Sequence, residues 1–243
     1  MAVNIVIPMA GAGSRFSDAG YSKPKPFIDV MGKPMIVRIL ENLTYKDAQY
    51  ILIAREEHMA LESEVIRKIE SEYNAIFHPI GHLTEGAACT VLHARSFINN
   101  DIPMIIANSD QIVDINFQDY VNDCLSRKLD GSIMTFKDPE KNTKWSFART
   151  DSEGIVKEVR EKIPISEMAT VGIYMYSMGK DYIDASIDMI VKNDRVNNEF
   201  YVCPVYNYAI TNNKKIGVYD IPFKTMHGLG TPDDLTHYVK EME

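Results

Sequence analysis

Hydrophobic and polar positions follow two periods along the first half of the chain, and the period tells which element each stretch forms. The run Val3-Asn4-Ile5-Val6-Ile7-Pro8 is short, rich in β-branched residues and almost continuously apolar. That is the pattern of a strand covered on both faces in a parallel sheet. From Lys33 to Leu43 the apolar residues Met35, Ile36, Ile39, Leu40 and Leu43 fall at helical spacing instead. The same reading predicts strands over 50–54, 75–78 and 103–107, with helices over 56–71 and 85–97. Strand and helix alternating through short links predict an α/β fold, a mostly parallel central sheet flanked by helices. Ligands of such sheets sit outside the carboxyl ends of the strands. The turn after Pro8, the loop at Glu85 and the turn from Asn108 to Asp110 should therefore converge.

The pattern changes near Gly131. Strand-like runs at 132–137, 146–149, 155–160 and 170–177 are separated by Asp, Gly, Asn and Lys turns, as in a smaller β-rich region. Helical patterns follow at 181–191 and 199–210, then a strand at 216–219. Thr231-Pro232-Asp233-Asp234 reads as a helix start, with Pro at the first position and acids in the first turn. No repeat or linker interrupts the chain, so the expectation is one domain over 1–243 with two halves, about 1–130 and 131–243.

The candidate chemistry begins where the first strand ends. Met9-Ala10-Gly11-Ala12-Gly13-Ser14-Arg15-Phe16 is a Gly-rich turn that can present bare backbone N–H groups to an anion. Its glycines let the backbone approach closely, and Arg15 adds a planar cationic fork suited to phosphate oxygens. A dinucleotide loop would need a third glycine where Phe16 stands and a helix opening directly after the turn, which the pattern does not show; a Walker A loop would need Gly-Lys-Ser/Thr. A lone Gly-x-Gly is as readily a plain turn. Arg15 and the Lys25 of Ser22-Lys23-Pro24-Lys25-Pro26 tip this one toward an anion site.

These residues resemble the sugar-phosphate nucleotidyltransferases. Gly11-Ala12-Gly13-Ser14-Arg15 followed by Lys25-Pro26-Phe27-Ile28-Asp29-Val30-Met31-Gly32-Lys33-Pro34-Met35 is similar to that family's Gly-x-Gly-Thr/Ser-Arg and Lys-Pro-Leu-x-Pro-Val-x-x-Lys-Pro-Met signature. Thr84-Glu85-Gly86-Ala87-Ala88, Ala107-Asn108-Ser109-Asp110, Glu161-Lys162, Ala169-Thr170-Val171-Gly172-Ile173-Tyr174 and Gly228-Leu229-Gly230-Thr231-Pro232 follow in the family's order. The resemblance implies a Rossmann-like, GT-A-type fold with a nucleotide half and an acceptor half. It implies nucleotide contacts from Ala10, Gly11, Ala12, Gly13, Ser14, Glu85, Gly86 and Asn108, and catalytic cations Arg15 and Lys25. It further implies acceptor contacts from Glu161, Lys162, Gly172 and Glu199, and Asp110 as ligand of a Mg²⁺ cofactor. Many relatives carry a second metal carboxylate where this chain has Gly228. Either Asp110 and phosphate oxygens suffice, or another residue such as Asp114 supplies the contact.

The implied reaction moves a nucleotidyl group from an NTP to a phosphomonoester and releases pyrophosphate. Runs such as Ile105-Ile106-Ala107-Asn108-Ser109-Asp110-Gln111 and Asn198-Glu199-Phe200-Tyr201-Val202-Cys203-Pro204 resemble a bacterial subgroup linked to capsule and surface-glycan synthesis, which includes cytidylyltransferases that couple CTP to phosphoglutamine. That puts CTP first, with phosphoglutamine or a sugar 1-phosphate as acceptor. Two other classes stay open: a nucleotide-sugar-dependent glycosyltransferase, whose Asp-x-Asp would replace Asn108-Ser109-Asp110, and a non-catalytic nucleotide-binding regulator.

Composition changes the picture only by exclusion. A net charge of −8 over 243 residues argues against nucleic acid as a partner. No segment approaches the ~20 apolar residues that cross a bilayer, and the N-terminal run lacks the features of a signal peptide. Cys89, Cys124 and Cys203 are unpaired by spacing, which suits a reducing compartment. The expectation is a soluble cytoplasmic enzyme, with homo-oligomerisation left open. The six histidines show no zinc spacing and read as structural or surface groups, and Trp145 reads as a core residue.

Overall fold

A computed structural model describes residues 1–242. The first element, β1 (Val3–Pro8), is buried along nearly its whole length because both faces of the sheet are covered. A five-residue helix α1 (Ser14–Asp18), a 3₁₀ turn (Lys25–Phe27) and the short ladder of β2 (Asp29–Val30) with β3 (Lys33–Pro34) lead to α2 (Met35–Asn42). Next come β4 (Ala48–Arg55), α3 (Glu56–Leu61), α4 (Ser63–Glu72), β5 (Ala75–Ile80), α5 (Ala87–Leu92), α6 (Arg95–Ile98) and β6 (Met104–Ala107). After β7 (Gln111–Val113) and α7 (Phe117–Ser126), the second half runs through β8 (Gly131–Lys137), β9 (Ser146–Thr150), β10 (Val156–Glu161) and β11 (Met168–Tyr176). It closes with α8 (Gly179–Val191), α9 (Val205–Thr211), β12 (Ile216–Asp220), β13 (Met226–Gly228) and α10 (Pro232–Met242).

One mixed sheet joins both halves. Strands β5, β4, β1 and β6 lie side by side and parallel, as the alternation of strand and helix predicts. The antiparallel strand β11 continues the sheet from β6 and passes it on to β8, which pairs in parallel with β12. The N-terminal end of β11 also touches the β9–β10 hairpin, through Ala169 and Phe147. Alternate residues of β1 feed two apolar layers, Val3, Ile5 and Ile7 on one face and Val6 on the other. The α/β expectation holds: the sheet is mixed and flanked by helices. No described helix is long and apolar enough to cross a membrane.

Several boundaries differ from the sequence reading, each for a tertiary reason. A short helix does open directly after the Gly-rich turn, contrary to expectation, although Phe16, buried within it, still lacks the flexibility of a third glycine. The helix expected from Lys33 starts at Met35, because Lys33 and Pro34 pair with Val30 and Asp29. The helix over 56–71 is broken at Glu62, whose buried carboxylate accepts from Lys23 Nζ at 3.4 Å. The helix expected from Glu199 begins at Val205, since the backbone of Phe200 is taken by Glu85 and Ala88. Strands β7 and β13, three residues each, are too short to show a period; helix α7, whose buried Phe117, Tyr120, Val121 and Cys124 fall at helical spacing, is an addition to the sequence reading.

Candidate functional site

The strand ends meet as the topology requires. Pro8, Met9, Gly11 and Gly13 from the end of β1, Lys25 and Pro26 from the 3₁₀ turn, and Asn108, Ser109 and Asp110 beyond β6 line one cavity of about 280 Å³. The backbone N–H groups from Ala10 to Ser14 donate to no group among the described residues. Ala10 itself is buried in the core, while Ala12 and Ser14 are exposed. A row of unspent N–H groups at a cavity edge is chemically an anion cradle. Lys25 Nζ donates to Asp110 Oδ2, so the expected catalytic cation and the expected metal ligand form an ion pair, each side chain about four-fifths buried. Arg15 lies outside the lining; its side chain is exposed and makes no ion pair among the described residues.

Asn108 is held from two directions. Its N–H donates to Gly172 O at 3.2 Å, and its Nδ2 donates to Gln111 Oε1 at 2.9 Å. Gly172 has a φ of 95°, and a Cβ there would overlap the Asn108 and Gln111 amides. Only glycine satisfies both the left-handed backbone and the close approach. In this way β11 of the second half is fitted directly against the cavity wall of the first.

A second cluster gathers at the end of β10. Burial pushes the Glu161 carboxyl above its ordinary range, partly opposed by the Ser146 hydroxyl, which donates to it, and by Lys162. Lys162 takes a left-handed φ of 58°. Its Nζ donates to Tyr201 Oη at 3.0 Å and lies 4.9 Å from the Tyr201 ring centroid, and the Tyr201 contact raises its pKa. Tyrosines carry no pattern in the sequence, so Tyr201 and its hydroxyl were not anticipated.

A third group adjoins the second, and the Glu199 charge acts on both Glu161 and Lys162. Glu85 is exposed and outside the cavity lining; its carboxylate accepts from Arg195 Nη2 at 2.7 Å, and Arg195 stacks 4.0 Å over the Phe200 ring. Phe200 N donates to Glu85 O at 2.8 Å and Ala88 N to Phe200 O at 3.0 Å, so Gly86, at φ 124°, faces Phe200 backbone where a Cβ would clash. Glu199 is exposed beside this junction. Asp114, offered as a spare metal ligand, instead lies beside His227 Nε2 at 2.8 Å and is not part of the cavity lining. Asp234, read only as a helix start, faces the same region as Asp110. The histidines do not stay scattered: His78, His82 and His93 gather with ring centroids 6.1 and 6.3 Å apart. Trp145, partly buried, packs edge-on against Phe136 and closes that edge of the core.

Comparison with known proteins gives the family and the fold. A family model described as nucleotidyl transferase matches residues 5–237. The catalytic subunit beta of mannose-1-phosphate guanylyltransferase from Drosophila pseudoobscura pseudoobscura is 27% identical over 177 residues, 71% of this chain and 47% of that protein. The chain thus spans about half the length of the curated relatives it matches first. A nucleoside-diphosphate-sugar pyrophosphorylase from Vibrio cholerae RC9 superposes with a TM-score of 0.84 at 25% identity, over 97% of this chain and 99% of that one. The inositol-1-phosphate CTP transferase of T. maritima shares the fold, with a TM-score of 0.75 at 14% identity over 99% and 97% of the two chains.

Proposed function

The chain belongs to the nucleotidyl transferase family, and on that premise we propose that it transfers a nucleotidyl group from an NTP to a phosphomonoester. One observation carries the reading: Lys25 and Asp110 form an ion pair in the wall of a cavity edged by unspent backbone N–H groups. In the reaction an acceptor phosphate oxygen attacks the α-phosphorus, the bond from that phosphorus to the bridging oxygen breaks, and pyrophosphate leaves with the electron pair. The attacking oxygen is already ionised, so no proton must be removed. The protein's task is positioning and neutralisation of charge.

The N–H groups from Ala10 to Ser14 hold the triphosphate, Lys25 stands beside the α-phosphate, and Arg15, which makes no ion pair among the described residues, swings in on the departing β- and γ-phosphates. Asp110 holds Mg²⁺, which when bound supplies positive charge to the phosphate oxygens. Glu161 accepts hydrogen bonds from acceptor hydroxyl or amino groups, Lys162 pairs with the acceptor phosphate, and Glu199 stands by as a second acidic contact. Residues 1–130 thus serve the nucleotide and residues 131–243 the acceptor. Because the Glu85 carboxylate is engaged by Arg195, Glu85 and Gly86 meet the base through their backbone.

The favoured donor is CTP, and the favoured acceptor phosphoglutamine or a sugar 1-phosphate, in capsule or surface-glycan synthesis. Support comes from the resemblance of the runs around Asn108 and Glu199 to that subgroup, and from an acidic acceptor cluster suited to an amino group. Relatives are named for guanylyl, uridylyl and cytidylyl transfer, so the test must span bases. Pyrophosphate release is measured for four NTPs against phosphoglutamine, phosphocholine and several sugar 1-phosphates with Mg²⁺. Turnover with CTP is expected, reduced about a hundredfold or more in Lys25→Ala and in Arg15→Ala. Turnover with another NTP alone would overturn the donor choice, and no turnover with any pair would overturn the transfer reading.

A further inference from the structure

The stretch between β13 and α10 folds back onto the cavity. Strand β13 pairs Gly228 with Gln111, and Leu229 N donates to Asp110 O at 2.7 Å. Helix α10 then begins with a reciprocal cap: Asp234 N donates to Thr231 Oγ1 at 3.1 Å, and the Thr231 hydroxyl donates to Asp234 Oδ2 at 2.7 Å. The cap fixes where the Asp234 carboxylate lies, and that place is not solvent alone. A Cβ on Gly230 would stand 3.1 Å from Asp110 Oδ2 and 4.0 Å from Asp234 Oδ2. The space that a side chain at 230 would take is bordered by both carboxylates. A Cβ on Gly228 would have Asp234 Cγ as its nearest neighbour, at 3.9 Å. An acid at position 228 would therefore project into the region that Asp234 already faces.

We propose that Asp234 is the second carboxylate of the divalent-cation site, supplied from the first turn of α10 because β13 carries glycine at 228. The inference rests on the nucleotidyl-transfer reading of the cavity. Its donor set suits a hard cation: both carboxylates border the space beside Gly230, and Mg²⁺ is held by one or two carboxylates together with substrate phosphates. Among the described residues no group of three or more His, Cys, Asp or Glu is placed to hold a metal. Phosphate oxygens of the nucleotide complete the shell, the usual arrangement for Mg²⁺. Asp234 Oδ1 takes no hydrogen bond among the described residues, so the cap leaves one oxygen to give. The chain keeps a two-carboxylate site by borrowing a capping residue.

The test reads ion binding rather than turnover. Mn²⁺ is titrated into the full chain, alone and with saturating CTP, and free Mn²⁺ is followed by electron paramagnetic resonance. Asp234→Asn keeps a side-chain oxygen for Thr231 and remains a competent cap; its Mn²⁺ affinity should fall about tenfold or more. Adding Gly228→Asp to that variant should restore most of the loss, since the backbone at 228 accepts a side chain without strain. Unchanged Mn²⁺ affinity in Asp234→Asn overturns the proposal. So does a loss that Gly228→Asp leaves in place, which would assign Asp234 to the cap alone. Pyrophosphate release by the unaltered protein is measured separately. A chain that binds Mn²⁺ through Asp234 yet transfers nothing would keep this inference and lose the functional one.

Discussion

At the level of single residues, Glu161 makes the sharpest demand on its surroundings. Its carboxyl is raised chiefly by burial, so the folded protein holds that proton more tightly than the unfolded chain does. The stability it contributes is complete below the ordinary carboxyl pKa and is lost as pH rises through the higher folded value. Glu161→Gln removes the ionisation while keeping an acceptor for the Ser146 hydroxyl. The variant should therefore melt a few degrees above the unaltered protein at pH 7, with the gap closing as pH falls toward 4. A gap of constant size across that range would show that ionisation is not its source. On the proposed acceptor role of Glu161, acceptor KM in the same variant should rise.

At the level of elements, the close fit of β11 against Asn108 gives a test of packing. Gly172→Ala forces a left-handed backbone on alanine and drives its methyl into the Asn108 and Gln111 amides. A loss of about 3 kcal/mol or more is expected from strain and overpacking together, read by denaturant titration, with weaker nucleotide binding since Asn108 lines the cavity. Near-normal stability would mean that β11 shifts freely. The elements best read from sequence, β1, β4 and β6, are those whose apolar runs are decided locally by burial on two faces. Boundaries failed where distant groups compete: the Phe200 backbone is drawn out of its helical pattern by Glu85 and Ala88, and the Glu62 side chain pairs with that of Lys23. The site divides in the same way. Gly11, Gly13, Lys25, Asn108 and Asp110 stand in runs that a motif marks, and one cavity unites them. Asp234, Tyr201 and Arg195 act through contacts made only after the chain folds back.

At the level of the whole molecule, the sheet runs without interruption from β5 to β12, so neither half has a hydrophobic layer of its own. Denaturation should follow one cooperative transition. Fluorescence of Trp145, packed on Phe136 in the second half, and far-ultraviolet circular dichroism of the full chain should give the same midpoint. Two separated midpoints would reveal halves that unfold independently.

On the proposed assignment of the two substrate sites, strand β11 serves as a ruler between them. One edge pairs Ile173 with Ala107 beside Asn108, and its start touches β9, the strand that carries Ser146 to Glu161. A strand can slide against its neighbour only by whole residues of about 3.3 Å, and each single step turns every side chain to the opposite face. The span from nucleotide to acceptor is therefore quantised, with its adjacent settings forbidden by the core. A lineage under selection for a new acceptor could not stretch that span by small degrees. It would have to rewrite the loops at either end, such as the one bearing Tyr201, while the two phosphates kept their meeting point.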